Sequence, residues 1–378
     1  MSGERLLEPV GPVRLSLAAI GDVGVIGSAR ARALREGWDA VFAAAAPALR
    51  AADLGFANLE LPVGEAGQVR PGRSPEFRHD ADVLPALVRA GVRVIALANN
   101  HIMDCGPRGL ERTRAACESA GLACAGAGSG LEAARRPAEL VVRSQRVAVL
   151  AYAAPSKASA RAGTPGPAPL EAALVREDLE RWRPRADVLV VSVHWGSMYV
   201  DYPPPRVLEL AETLERGGAD LVLGHHPHVV QGWRRAGRCL TLFSLGDVVF
   251  DPRAGDFEAR VAAATRRESA VFTVRVADEP GLDVLPLTLD PDGWPQAPDE
   301  ARGRAQVERL KGLAAGLADA RERFAREAAP RLLGYELESL GQYLRQGRWG
   351  RVARLLGSVR PRHLPLLWQA LRRRGGDA

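Results

Sequence analysis

Asp220-Leu-Val-Leu-Gly-His-His-Pro-His-Val-Val-Gln231 is the stretch from which the fold can be read. Leu221, Val222 and Leu223 form a short apolar run of the kind that makes a buried strand, and Gly224 ends it. His225, His226 and His228 follow at once, and Pro227 fixes the backbone between the last two while removing a donor. Such a turn sets imidazoles at the carboxyl edge of a sheet, where open α/β folds place their sites. Neutral imidazole is the commonest protein metal ligand, and its charge changes near neutral pH. The chain holds only 7 histidines, so this crowding argues for function over chance.

Other apolar runs end the same way. Arg14 to Ile20 leads into Gly21-Asp22-Val23-Gly24, and Leu54 to Leu59 leads into Glu60. Val92 to Ala98 runs into Asn99-Asn100-His101-Ile-Met-Asp104, Val188 to Val193 into His194-Trp195-Gly196, and Leu240 to Leu245 into Gly246-Asp247. Helical patterns lie between them over Ala29–Arg50, Ala81–Ala90, Leu110–Ala120, Leu170–Arg183 and Val207–Arg216. Strands alternating with helices predict an α/β layered sheet. Arg135 to Tyr152 reads as two strands with a tight turn near Ser144-Gln145, and Val271–Val276 with Val284–Leu289 as a late antiparallel pair. The Pro/Ala/Gly/Ser stretch Ala153–Pro169 is long enough for a lid.

After Ala301 the strand signals stop. A long helix is expected over Gln306–Glu327, with shorter ones near Leu332–Arg345, Trp349–Ser358 and His363–Arg373. The expected division is a catalytic domain over residues 12–295 and a helical C-terminal appendage over 300–378.

Composition narrows the class. A chain of 378 residues with 47% hydrophobic and 25% charged content is that of a soluble globular protein. The net charge of +6 is modest and the arginines are scattered, which argues against a nucleic-acid partner. Cys105, Cys117, Cys124 and Cys239 show no C-x-x-C spacing, so neither a zinc site nor a disulfide framework is expected. No window approaches the roughly 20 apolar residues of a membrane span, and the first residues lack the apolar core of a signal sequence. These features predict a cytoplasmic protein with no membrane partner, and leave its oligomeric state open.

Asp22, Glu60, Asn100 with His101, His194, and His226 with His228 each follow an apolar strand. Mixed oxygen and nitrogen donors of this kind suit a divalent metal ion: Mn, Fe, Zn or Mg, or Ca where oxygen dominates. A bridging carboxylate can hold two ions, which clamp both oxygens of a displacement or generate a hydroxide.

The motifs Gly21-Asp22, Asn58-Leu-Glu60, Ala98-Asn-Asn-His101-x-x-Asp104-x-Gly106, His194-Trp-Gly196, Gly224-His-His-Pro-His228 and Ser244-Leu-Gly246 resemble those of the CapA-like (poly-γ-glutamate synthesis, PGA_cap) family. That family is similar to the calcineurin-like metallophosphoesterases. The resemblance spans roughly Leu15 to Leu289 and implies an α/β two-sheet sandwich with one or two ions at the strand ends. It implies that Asp22, Glu60 and His228 serve one metal position, and Glu60, Asn100, His194 and His226 the other. His101 corresponds to the histidine that protonates a leaving group. Three departures stand out: Gly24 where phosphoesterases carry a histidine, Met198 where the family carries a glutamate, and Asp247 where it carries an asparagine.

Those departures leave a site rich in His and Asp. His101 with Asp104, and a second histidine of the turn such as His226 with Asp22 or Asp247, form candidate acid and base pairs, each carboxylate orienting its imidazole. Two such bases on opposite faces of a carbon acid, beside a cation that stabilises an enolate, racemise a peptide Cα. The resemblance extends to epimerases of ribosomally made lasso peptides, so a metal-dependent peptide epimerase acting in peptide tailoring is the sharpest expectation. A hydrolase of phosphoesters or γ-linked amides is the alternative, as is a protein of poly-γ-glutamate or capsule synthesis whose site has decayed.

Lesser candidates carry two readings each. Asp104 caps a helix or orients His101, and Asn99 shapes its loop. Trp195 and Tyr199 line a pocket or pack. Arg73 and Arg78 dock a substrate carboxylate or face solvent. His79 and His363 read as bystanders.

Overall fold

The computed structural model describes residues 3–65, 68–69, 77–251, 267–328 and 349. Among these residues the strands are β1 (Glu4–Leu7), β2 (Leu15–Gly24), β3 (Leu54–Leu59), β4 (Val92–Ala96), β5 (Ala123–Ala125), β6 (Ala127–Gly128), β7 (Ala138–Val142), β8 (Gln145–Ala153) and β9 (Gly166–Pro167). They continue with β10 (Val188–His194), β11 (Leu221–His225), β12 (Trp233–Ala236), β13 (Cys239–Leu242), β14 (Asp247–Phe250), β15 (Glu268–Val276), β16 (Gly281–Leu289) and β17 (Pro295–Gln296). The helices are α1 (Gly27–Glu36), α2 (Trp38–Val41), α3 (Ala46–Ala51), α4 (Val83–Ala90), α5 (Gly106–Ser119), α6 (Leu131–Ala134), α7 (Ala172–Trp182), α8 (Pro205–Arg216) and α9 (Glu300–Ala315).

Two large sheets form. The first runs β1-β16-β15-β2-β3-β4-β5, with β14 beside β2 and β17 beside β16; the second runs β12-β13-β11-β10-β8-β7. In β2, β3 and β4 alternate residues face opposite ways, as a strand requires. Leu17, Phe56 and Val94 join Val149, Val191, Leu223 and Phe243 in the core between the sheets. Ile20, Ala57 and Ile95 face the helical side, against Ala33, Leu49, Leu87 and Leu110. Burial on both faces explains why these strands read as nearly continuous apolar runs. This is the α/β two-sheet sandwich expected from the sequence.

The parallel strands fix where chemistry can sit. The β2 end pairs with β3 through Asp22↔Asn58 and with β14 through Asp247↔Asp22. In the second sheet His194 lies beside His225. The carboxyl ends of five strands therefore carry Asp22, Glu60, the Asn99–His101 loop, His194 and the histidine turn.

Several elements differ from expectation. The helix expected over Ala29–Arg50 is three helices, because Gly37 at φ 94 breaks the first turn chain. The lid-length stretch after Ala153 is fastened down: β9 pairs with β6, Ala153 N donates to Ala168 O at 2.9 Å, and Ser159 and Ala160 are buried. Arg143 and Ser144, at φ 48 and 63, make the tight turn between β7 and β8. Helix α9 shares the main core instead of standing apart from it: Val307, Leu310 and Leu313 belong to the cluster between the sheets, and Gln306 Nε2 donates to Ser269 O at 2.6 Å. A further helix covers 320–328. The expected helices at 332–345 and 363–373, and all of 349–358 but residue 349, lie outside the described residues, as does His363.

Candidate metal centre

The centre is built on Asp22, which is fully buried. Its Oδ1 accepts from Asn58 Nδ2 at 2.8 Å and faces His225 Nδ1 at 3.0 Å, while Oδ2 accepts the His226 backbone N–H at 3.0 Å. Burial raises a carboxyl pKa, but the His225 bond and the surrounding imidazoles outweigh it and hold Asp22 well below the usual range. The third bond pins an unusual turn: His226 and His228 take φ 93 and 55, a region bulky residues seldom enter. Strain of this kind persists where surrounding contacts over-determine it, and it clusters at functional sites.

Glu60, the residue after β3, is fully buried and common to two groups of donors. Ligand atoms of Glu60, His194 and His226 lie within 4.8 Å of one another, and so do those of Asp22, Glu60, His228 and Asp247. His194 Nε2 is 2.8 Å from Asn100 Oδ1 and 4.0 Å from Glu60 Oε1. Two ligands ~2.1 Å from one ion sit about 3–4 Å apart, so this spacing fits a shared cation. His194 Nδ1 and His226 Nδ1 are buried with no hydrogen-bond partner among the described residues. Burial lowers both imidazoles, with His226 pushed down to about 3 by burial and by the neighbouring His228. Both are therefore neutral, the form that ligates a metal. The donor set fits a divalent ion.

Two further imidazoles are each backed by a carboxylate. His101 Nδ1 is 2.7 Å from Asp104 Oδ2, and the Phe77 ring stacks on His101 at 5.1 Å. Asn99 shapes that loop: its Nδ2 donates to Leu59 O at 2.8 Å, and its Oδ1 accepts from His101 N at 3.0 Å and Ile102 N at 2.7 Å. The side chain of Cys105, the N-cap of α5, makes no cap hydrogen bond, and Asp104 orients His101. His228 Nδ1 is 2.8 Å from Asp247 Oδ1, and its Nε2 is 3.7 Å from Glu60 Oε1. Burial would lower His228, but the carboxylates of Asp247 and Glu60 dominate and raise it well above its ordinary value.

The sequence left open which histidine of the turn pairs with Asp22 or Asp247. The pairs are His225 with Asp22 and His228 with Asp247; the ring of His226, the example named, bonds to neither carboxylate, because the turn points it toward His194, 4.8 Å between centroids. Trp195 is packed, donating Nε1 to Phe243 O at 3.0 Å, and Tyr199 stacks on His228 at 5.7 Å. Arg78 is tied to Gly64 O and Asp80, and Arg73 lies outside the described residues.

Residues 16–252 match the family model of the bacterial capsule synthesis protein PGA_cap. The chain belongs to this family. It is similar to the capsule biosynthesis protein CapA of Bacillus anthracis, 29% identical over 319 residues that make 80% of this chain and 75% of that one. It is also similar to the PGA biosynthesis protein CapA of Bacillus subtilis (strain 168), 28% identical over 241 residues, 63% of each chain, so it spans less than two thirds of that relative. Among solved structures, a hypothetical protein from Thermus thermophilus aligns with a TM-score of 0.47 at 17% identity, over 75% of this chain and 100% of that one. No helix among the described residues of this PGA_cap protein is long and apolar enough to cross a membrane.

Gly24, two residues past Asp22, lies against an aromatic ring. Phe250 lies opposite Gly24 in register, and a Cβ on Gly24 would fall 2.4 Å from Phe250 Cδ2. No larger side chain fits there while Phe250 stays.

His79, read from sequence as a bystander, is a fully buried clasp. Its Nε2 accepts from Val25 N at 3.1 Å and its Nδ1 donates to Leu61 O at 3.1 Å, joining the segments just past Asp22 and Glu60. Both partners are backbone atoms, so no side-chain pattern betrays the contact. Burial lowers the His79 pKa from 6.5 to about 4. The unfolded chain takes up a proton near pH 6.5 that the fold refuses. This share of stability is complete above pH 6.5 and is lost as pH falls from 6.5 to about 4, on the order of 3 kcal/mol in all. His79→Leu is expected to cost roughly 2–6 kcal/mol at pH 7 by stranding two buried backbone groups, and to flatten that pH dependence. Urea unfolding of both proteins across that range checks it; parallel curves would refute the assignment.

Proposed function

We propose that this PGA_cap protein is a metal-dependent acid–base enzyme that epimerises a Cα in a peptide-type substrate. The observation behind this reading is the pair of carboxylate-backed imidazoles, His101–Asp104 and His228–Asp247, beside the donor set of Glu60, Asn100, His194 and His226. Each carboxylate holds Nδ1, which leaves Nε2 for proton transfer. His101 takes the Cα proton, and the C–H electron pair moves to the carbonyl to give an enolate. His228, kept protonated by Asp247 and Glu60, returns a proton to the opposite face. Only configuration changes. A divalent ion, when bound, supplies positive charge for the enolate oxygen. Phe77 and Tyr199 stack on the two bases and limit their rotation.

Relatives named for capsule and PGA biosynthesis make glutamyl peptides the first substrates to test. Incubation of the metal-loaded protein with such peptides in heavy water should place deuterium at one Cα and yield both configurations. Hydrolysis without deuterium uptake would favour the second reading, a hydrolase of γ-linked amides or phosphoesters. That reading draws on Glu60, shared by both donor groups as a two-ion clamp requires. Inertness toward all these substrates would leave a non-catalytic role in polymer synthesis.

A further inference from the structure

We infer that the centre takes one divalent ion, held by Glu60, Asn100, His194 and His226, and that the second donor group is closed to metal. The inference rests on the reading that this centre binds metal at all. In the second group, Asp22 already accepts three N–H bonds, from Asn58, His225 and the His226 backbone. An ion drawing on Asp22 would have to compete with the bonds that pin the strained turn. Asp247 Oδ1 is engaged by His228 Nδ1. A carboxylate behind an imidazole also occurs where that imidazole ligates a metal, so the pair alone decides nothing. The wall beside it does. Phe250 packs on His228 at 5.2 Å, fills the space a side chain at position 24 would need, and joins Ile26 and Leu61 in an apolar cluster. The face from which a donor beyond Asp22, Glu60, His228 and Asp247 would reach a second ion is therefore hydrocarbon.

The first group has the opposite character. His194 Nδ1 and His226 Nδ1 are buried without hydrogen-bond partners among the described residues, and Asn100 Oδ1 reaches His194 from an exposed position. His194 turns Nε2 toward Glu60 and Asn100, and ligand atoms of Glu60, His194 and His226 lie within 4.8 Å of one another, so an ion there meets two neutral imidazoles and a carboxylate. With the second position shut, His228 keeps its Nε2 for proton transfer.

Metal-stripped full-length protein titrated with Mn2+ tests this by calorimetry and electron paramagnetic resonance. One Mn2+ per chain is expected, with the spectrum of an isolated ion. His194→Ala and His226→Ala should each weaken binding by more than the ~100-fold that loss of an outer-shell partner costs, and Asp22→Asn should keep one ion. Two ions per chain with an exchange-coupled spectrum overturn the inference and leave the metal reading intact. A single ion lost in Asp22→Asn but retained in His194→Ala overturns it too. No binding at all sinks both. Where Asp22→Asn does not fold, stoichiometry and coupling in the unaltered protein decide.

Discussion

His101→Asn lowers turnover by about 10²–10⁴-fold, the range a positioned general acid or base contributes, without changing the amount of metal bound. The imidazole is set by three independent contacts: the Asp104 carboxylate on Nδ1, the Phe77 ring against its face, and the Asn99 side chain on its backbone N–H. None of these runs through Glu60, His194 or His226, so the variant separates proton transfer from metal binding. Asparagine keeps a polar group of similar reach and cannot titrate. Asp104→Asn is the milder companion. It keeps a hydrogen-bond partner for Nδ1 but removes the carboxylate that orients the ring, and so should lower turnover less than His101→Asn while leaving metal affinity alone. Elemental analysis alongside steady-state rates checks both; loss of metal in His101→Asn would assign the residue to the ion instead.

The sequence disclosed the strand ends because burial on both faces turns each strand into an apolar run, and a polar residue after such a run marks its carboxyl end. Asp22, Glu60, Asn100, His194 and the histidine turn were found by that contrast alone. What it could not supply is which imidazole meets which carboxylate. His226 and His228 are two residues apart, yet positive φ at both turns them in directions that no strand or helix period describes. The pairing of His225 with Asp22 spans 203 positions and depends on the two sheets facing one another. His79 escaped notice because it bonds to main-chain atoms, and Phe250 because an aromatic residue ending an apolar strand looks like ordinary core. The integration of α9 was hidden for a related reason: Val307, Leu310 and Leu313 form a plausible stripe for a separate helical layer, and only the sheet edge beside them makes it part of the main core.

Glu60→Gln should have the widest consequences of any single change. Its carboxylate is common to both donor groups and fully buried, so the ion loses the only anionic donor that the described residues offer in the His194–His226 group. Affinity for Mn2+ is expected to fall more than ~100-fold, beyond what loss of an outer-shell partner costs. The stability readout separates metal binding from misfolding. Metal at a hundredfold excess over its Kd adds about 2.7 kcal/mol to the unaltered protein and raises its melting temperature. Glu60→Gln should melt at the same temperature with and without metal, and the stripped variant should be no less stable than the stripped parent, because glutamine fills the same volume without a desolvated charge. The change also reaches His228, whose Nε2 lies 3.7 Å from Glu60 Oε1 and whose raised pKa owes part of its shift to that carboxylate. Removing the charge moves the His228 titration down, so whatever activity remains is lost at lower pH than in the parent, since the protonated donor is the form that vanishes as pH rises. Thermal melts with and without Mn2+, read beside a pH–rate profile, measure all three effects. A variant that still gains melting temperature on Mn2+ addition to the parent's extent would remove Glu60 from the ion's coordination and leave Asn100, His194 and His226 to hold it without a counter-charge, which a buried dication does not tolerate.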